Sequence, residues 1–194
     1  MNHVRDGLIV VSSILVIAGT VPYLIDTIRG KTKPNIVSWL TWTVLTGIGA
    51  AAAYSSHAYA TAALVGSSGI ATGAIVIAGA RYGIARYTRF DAACQASAVI
   101  GLILWYVFNS PAVATIAVVI IDLIAAVPTY RHAYFEPNEE TLSTYVIGTV
   151  AVILSIIAIT EWSVVSSLYP IYLLLSDGLI IAILIGRRKF IRSS

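Results

Sequence analysis

Seven stretches of about twenty apolar residues, parted by short polar joints, occupy almost the whole of the 194-residue chain. A bilayer interior offers the backbone no water, so a segment of that length must pair its own N–H and C=O groups, and the helix does so without a neighbour. The stretches are Gly7 to Ile28 (span 1), Asn35 to Tyr54 (span 2), Ala58 to Ala80 (span 3) and Asp91 to Phe108 (span 4). Pro111 to Tyr134 (span 5), Thr141 to Thr160 (span 6) and Val164 to Ile185 (span 7) follow. Only 11% of the residues are charged, against roughly 25% in a water-soluble domain, which excludes a soluble globule. Span 1 is longer than the ~7–15-residue core of a signal peptide and is read as a retained span.

The joints Arg29 to Pro34, Arg81 to Phe90 and Phe135 to Glu140, the tail from Gly186, and Arg131 hold all twelve Lys and Arg except Arg5. Cytoplasmic joints carry that excess. The expectation is a multi-pass cell-membrane protein with its N-terminus outside and its C-terminus in the cytoplasm. The opposite joints, Ser55 to His57, Asn109 to Ser110 and Glu161 to Ser163, are too short for an ectodomain. The pI of 9.1 therefore reports orientation in a lipid bilayer and not a nucleic-acid partner. Trp39, Trp105, Trp162, Tyr54, Tyr82, Tyr87 and Tyr106 fall near predicted faces as belt anchors. Cys94 is the single cysteine, and His3, His57 and His132 lack ligand spacing, so neither metal nor cofactor is expected.

Span 1 carries Val21-Pro22-Tyr23 and span 5 carries Val127-Pro128-Thr129-Tyr130. Each is followed by a polar joint with Pro-Asn and then a hydroxyl residue, Pro34-Asn35 with Ser38 and Pro137-Asn138 with Thr141. The predicted fold is all-α: seven transmembrane helices as two parallel three-helix repeats joined by an inverting fourth helix. Residues 1–80 form the first repeat, 81–110 the linker with the inverter, and 111–194 the second repeat with a short basic tail.

Asp122 lies mid-span 5 and Asp177 mid-span 7, with no Lys or Arg at comparable depth. An Asp at a helix centre costs about 2.5–3.5 kcal/mol on insertion and usually faces a cavity, a proton path or a ligand. The bland alternative is a protonated Asp bonded to a neighbouring hydroxyl or carbonyl for packing alone. Ser67 and Ser68, in the Gly66-to-Gly69 run of span 3, stand at the depth of Ser176 and Asp177; that run also suits close helix packing, within or between chains, and leaves a homo-oligomer open. Trp42 and Tyr172 are candidates for aromatic walls, with helix packing as the bland alternative for both. Pro22 and Pro128, each about two turns from a cytoplasmic end, suit gating hinges or static kinks. Asp26 and Asp91 stand beside Arg29, Lys31 and Arg89, as solvated ion pairs.

This pattern resembles the PQ-loop and SWEET superfamily, in which tandem three-helix units joined by an inverting helix carry a proline near the inner end of each first helix. The family's Pro-Gln dipeptide stands here as Pro22-Tyr23 and Pro128-Thr129. Its downstream Lys and Ser match Lys31 or Lys33 and Ser38. Where SWEET sugar carriers place an Asn in each third helix, this chain has Ser67 or Ser68 and Asp177. Gly30-Lys31-Thr32-Lys33-Pro34-Asn35 with Ser38-Trp39 also resembles a group of uncharacterised bacterial membrane proteins.

The leading expectation is a secondary transporter or facilitator of a small polar solute, working by alternating access; no His-Glu pair on a helix, no nucleophile with a nearby base and no metal spacing marks an enzyme. Asp122 and Asp177 would bind a proton or a cationic group, Ser67, Ser68, Trp42 and Tyr172 would line the cavity, and Pro22 and Pro128 would permit gating. The alternative is a non-transporting receptor or scaffold, for which the midplane would be packed shut.

Overall fold

The computed structural model describes residues 2–34, 36–82 and 110–193, with positions 89, 92, 93, 96, 97, 100, 103 and 107 between them. Most of span 4, with Asp91, Cys94, Trp105, Tyr87 and Tyr106, lies outside the described residues. The helices are α1 (Asn2–Ile28), α2 (Ile36–Ser55), α3 (Tyr59–Tyr82), α4 (Pro111–Phe135), α5 (Leu142–Ile157) and α6 (Val164–Ser193), with a single 3-10 turn at Pro137–Glu139. Among the described residues there is no strand. Four of these helices, α1, α3, α4 and α6, are long and apolar enough to cross a membrane.

Local chemistry sets the helix ends. Pro111 opens α4 at the first helical position, where its missing N–H costs nothing. At the end of α1, Gly30 adopts φ +70, and the bonds Gly30 N→Thr27 O (3.0 Å) and Lys31 N→Asp26 O (2.9 Å) form a Schellman cap. Ser163 and Ser166 exchange backbone-to-hydroxyl bonds at the start of α6 (2.9 and 3.2 Å), the reciprocal logic of a capping box. The other end of α6 runs past the predicted Ile185 to Ser193, where Arg187 and Arg188 bond carbonyls of the neighbouring segment.

The bundle is apolar outside and hydroxyl-bearing inside. Along α1 the exposed residues Val10, Ile14, Ile17, Val21, Ile25 and Ile28 recur at helical spacing and form one aliphatic stripe. Ser12, Thr20 and Thr27 are buried on the other side. Interior hydroxyls return to their own helices: Thr20 donates to Val16 O, Thr46 to Trp42 O and Thr115 to Pro111 O, at 2.7–2.9 Å. Such back-bonding satisfies a hydroxyl without water. An aliphatic stripe of this extent is unsuited to water and marks a membrane-spanning protein.

Helix α3 packs between α1 and α2, and α6 between α4 and α5; α1 meets α5 and α2 meets α4, closing a ring. Side-chain pairs give the directions. Asp122 meets Tyr169 and Tyr172 while Tyr130 meets Ser176, so α4 and α6 run parallel. Thr61 meets Ser166, and Leu173 and Leu174 pack on the cluster that holds Leu64, so α3 is parallel to both. The end of α3 and the start of α4 therefore lie at opposite ends of the bundle.

Glycine governs one of these approaches. A Cβ on Gly19 of α1 would stand 2.9 Å from Ile147 Cγ2 and 3.1 Å from Ile147 Cβ of α5, whereas one on Gly66 would meet only Ala50 Cβ at 3.8 Å. Ile147 is β-branched and cannot swing clear. Gly19→Ala is expected to cost about 1–3 kcal/mol through overpacking, read as a lower melting temperature in detergent, while Gly66→Ala should melt like wild type; equal melting of the two variants would contradict the α1–α5 contact.

Candidate functional site

A cavity of about 160 Å³ lies inside the ring, and α1 through α6 all contribute to its wall. Asp122 from α4 and Asp177 from α6 both line it, with no Lys, Arg or His among the described lining residues. Asp122 is 5% exposed. Its two oxygens accept from the hydroxyls of Tyr169 (2.7 Å) and Tyr172 (3.1 Å). Asp177 is half-buried and accepts no hydrogen bond among the described residues. Gly148 of α5 lets a backbone pass beside it, since a Cβ there would meet Asp177 Oδ2 at 3.3 Å.

Two other polar atoms on this wall lack partners: Trp42 Nε1 and Thr144 Oγ1 are buried and make no hydrogen bond. The Trp42 indole stands near Asp122 without hydrogen-bond geometry. Trp39 meets Trp42 edge-on at 5.0 Å and 90°, so with Tyr145 and Tyr169 four aromatic rings face the space. Apolar wall comes from Val16, Ile75, Val152 and Leu173.

Of the residues singled out in the sequence, Asp122, Asp177, Trp42 and Ser68 meet at this cavity. Ser67 is off it, buried and bonded to Ala63 O at 2.7 Å. Successive helical residues are about 100° apart, so Ser67 and Ser68 cannot share one direction. Tyr172 is also off the wall and acts by holding Asp122. Trp39 is no belt anchor: it is buried against Tyr23, ring centroids 4.9 Å apart. Trp162 and Tyr54 are exposed as expected of belt residues. Pro22 lies within α1 and Pro128 within α4; each withholds a donor from the preceding turn, at Ala18 and Ile124. Among the described residues no cluster of three or more His, Cys, Asp or Glu could hold a metal ion.

Sequence reasoning missed Tyr169, Tyr145 and Trp39. Tyr169 stands eight positions before Asp177, just over two turns along the same face, and that spacing was the available signal.

At the Lys/Arg-rich end, the two polar joints are tied together. Thr32 and Thr141 hydroxyls lie 2.8 Å apart, Thr141 donates to Asp26 Oδ2 (3.0 Å), and Lys33 pairs with Glu139 at 2.6 Å. Asp26 is thus held by a threonine and not by the expected ion pair. Arg188 donates to the carbonyls of Pro137 and Glu140. A second cavity of about 200 Å³ sits here, lined by Tyr23, Lys33, Trp39, His132 and Glu140 among others; Trp39 belongs to the walls of both. Desolvation pushes the buried Glu140 carboxyl up from 4.5 to about 7, against the opposing pull of the Tyr145 hydroxyl and the Arg188 charge, with Glu139 adding to the rise.

Comparison with family models, with curated proteins and with solved structures finds no match.

Because the folded chain holds the Glu140 proton more tightly than the unfolded chain, this group's stabilisation is complete below about pH 4.5 and is lost as pH rises through about 7. The difference is on the order of 3 kcal/mol. Over that window the melting temperature of wild type should fall relative to Glu140→Gln; parallel curves for the two proteins would refute the assignment.

Proposed function

We propose that the chain is a secondary transporter of a small polar solute, working by alternating access between residues 1–80 and 111–194. The observation that carries the reading is the cavity itself: a space walled by every helix of the ring, holding two carboxyls and no compensating cation among the described lining residues. Carboxyls placed in a membrane interior are costly, and a packing role would have left no space beside them. A receptor or scaffold would need no such hollow.

The helix arrangement supports two equivalent halves. Exchanging α1, α2 and α3 for α4, α5 and α6 reproduces every principal contact of the ring, the pattern expected of parallel repeats. Pro34 and Pro137, the prolines of the two Pro-Asn joints, are both fully buried. The end of α3 and the start of α4 lie at opposite ends of the bundle, the placement that an inverting helix between them would require. The described positions 92, 93, 96, 97, 100, 103 and 107 are helical, in keeping with an inverting helix that brings the count to seven. The Lys/Arg distribution supports a cytoplasmic C-terminus. The likeness to the PQ-loop and SWEET superfamily agrees with all of this.

On this reading the tied joints close the cytoplasmic end in the present conformation, and the missing rungs at Pro22 and Pro128 let α1 and α4 bend when that end opens. A partly exposed ion pair such as Lys33–Glu139 is worth about 0–1 kcal/mol, weak enough to break in each cycle.

Two measurements in proteoliposomes test the proposal. With a labelled pool of sugars, amino acids, amines and organic acids, Asp122→Asn and Asp177→Asn should each abolish pH-gradient-driven uptake; wild-type rates in both would remove the carboxyls from the mechanism. In a Cys94→Ser background, Thr32→Cys with Thr141→Cys should arrest uptake on oxidation and recover on reduction. Unchanged uptake by the oxidised pair would rule out opening at that end.

A further inference from the structure

The lining of the central cavity is selective, and its chemistry narrows the solute. Asp122 is already committed to two tyrosine hydroxyls, at 2.7 and 3.1 Å. Asp177, on the adjacent parallel helix, faces the same space with no hydrogen-bond partner among the described residues. A lone carboxyl calls for a donor or a positive charge. The described wall supplies no positive charge, having no Lys, Arg or His, and none of its donors bonds Asp177. The same lack disfavours any solute bearing a carboxylate or phosphate, which would meet two acidic groups and no cation.

The rest of the wall describes the remainder of the solute. Trp39, Trp42, Tyr145 and Tyr169 present aromatic rings, which attract an alkylammonium through their π faces. Val16, Ile75, Val152 and Leu173 offer apolar surface to carbon. Trp42 Nε1 is a buried donor without an acceptor, suited to one hydroxyl or ether oxygen. A volume of about 160 Å³ is close to that of the engineered cavity that takes benzene, at about 150 Å³, so the solute has at most about six non-hydrogen atoms.

We infer that the cavity binds a small organic ammonium ion, its charge against Asp177 and its carbon within the aromatic wall. This rests on the reading of the cavity as a solute site, and it names the class of solute. Gly148 is a positioning residue here, since added bulk at that point presses on the carboxylate.

The test is binding to the purified full-length protein in detergent, by calorimetry and thermal shift, with ethylammonium and ethanolamine as probes against glucose, glycine, acetate and sodium. Both amines should bind and raise the melting temperature. Asp177→Asn should weaken binding at least about tenfold while keeping the melting temperature of the unliganded protein, and Gly148→Ala, which keeps the carboxyl but presses on it, should weaken ethanolamine binding. Binding of glucose or glycine without the amines, or an equal response to sodium, would overturn the inference and leave the carrier proposal standing. Amines that bind but show no flux in proteoliposomes would instead defeat the carrier proposal and keep the site.

Discussion

In a membrane interior a polar group has only its own helix or the next one to turn to, and the bundle is organised around that constraint. Hydroxyls of Thr20, Thr46, Ser67, Ser68 and Thr115 bond carbonyls of the preceding turn. Others reach across: Thr61 to Ser166 O at 2.6 Å and Thr43 to Thr72 at 3.0 Å. These bonds tie α3 to α6 and α2 to α3, so satisfying the polar groups also fixes which helices are neighbours. The atoms left over stand out against that background. Thr27 Oγ1 and His132 Nε2 lie elsewhere, but Trp42 Nε1, Thr144 Oγ1 and the Asp177 carboxyl come from three helices and line one space.

The two ends of the bundle are held differently from its middle. At the basic end, the cap formed by Gly30 turns the chain so that Thr32 and Lys33 meet Thr141 and Glu139. Arg188 meanwhile takes up carbonyls that the 3-10 turn leaves free. Its guanidinium fork does what a lysine's point charge could not, serving two carbonyls in fixed geometry. The basic tail thus has a structural role of its own. Between this latch and the central space stands Trp39, packed on Tyr23 and Trp42; any solute leaving toward the basic end would have to pass it.

The length and apolarity of α1, α3, α4 and α6 were legible because insertion in a bilayer is a one-dimensional requirement. Asp122 and Asp177 were legible because their cost at mid-helix is high whatever surrounds them. The inward face was not. In a soluble helix polarity tells inside from outside, but here both faces are apolar, and an aromatic near a boundary looks the same whether it faces lipid or core. Trp39 was therefore misplaced while Trp162, which is exposed, was not. Ser67 and Ser68 looked equivalent because depth can be counted from a sequence, whereas angle about the helix axis has to be seen. Asp26 looked like half of an ion pair because Arg29 and Lys31 are near it in sequence; its actual partner, Thr141, comes from the other half of the chain.

The two halves bring unlike chemistry to the shared space. Val16 precedes Pro22 by the same interval that separates Asp122 from Pro128, and both Val16 and Asp122 line the cavity. One position is aliphatic and its counterpart acidic. The residues from 1–80 on the wall are hydroxyl, aromatic or aliphatic, and both carboxyls come from 111–194. A charged solute in a carrier of this build would travel with the second half, bound through Asp177, while the first half forms the wall that moves past it. Rocking would then change the solute's surroundings without breaking its strongest contact, and the barrier to each cycle would be set by the latch at Thr32, Lys33, Glu139 and Thr141. On the proposed carrier reading, equivalent helix contacts with an asymmetric lining would let one ring both grip a solute and release its walls.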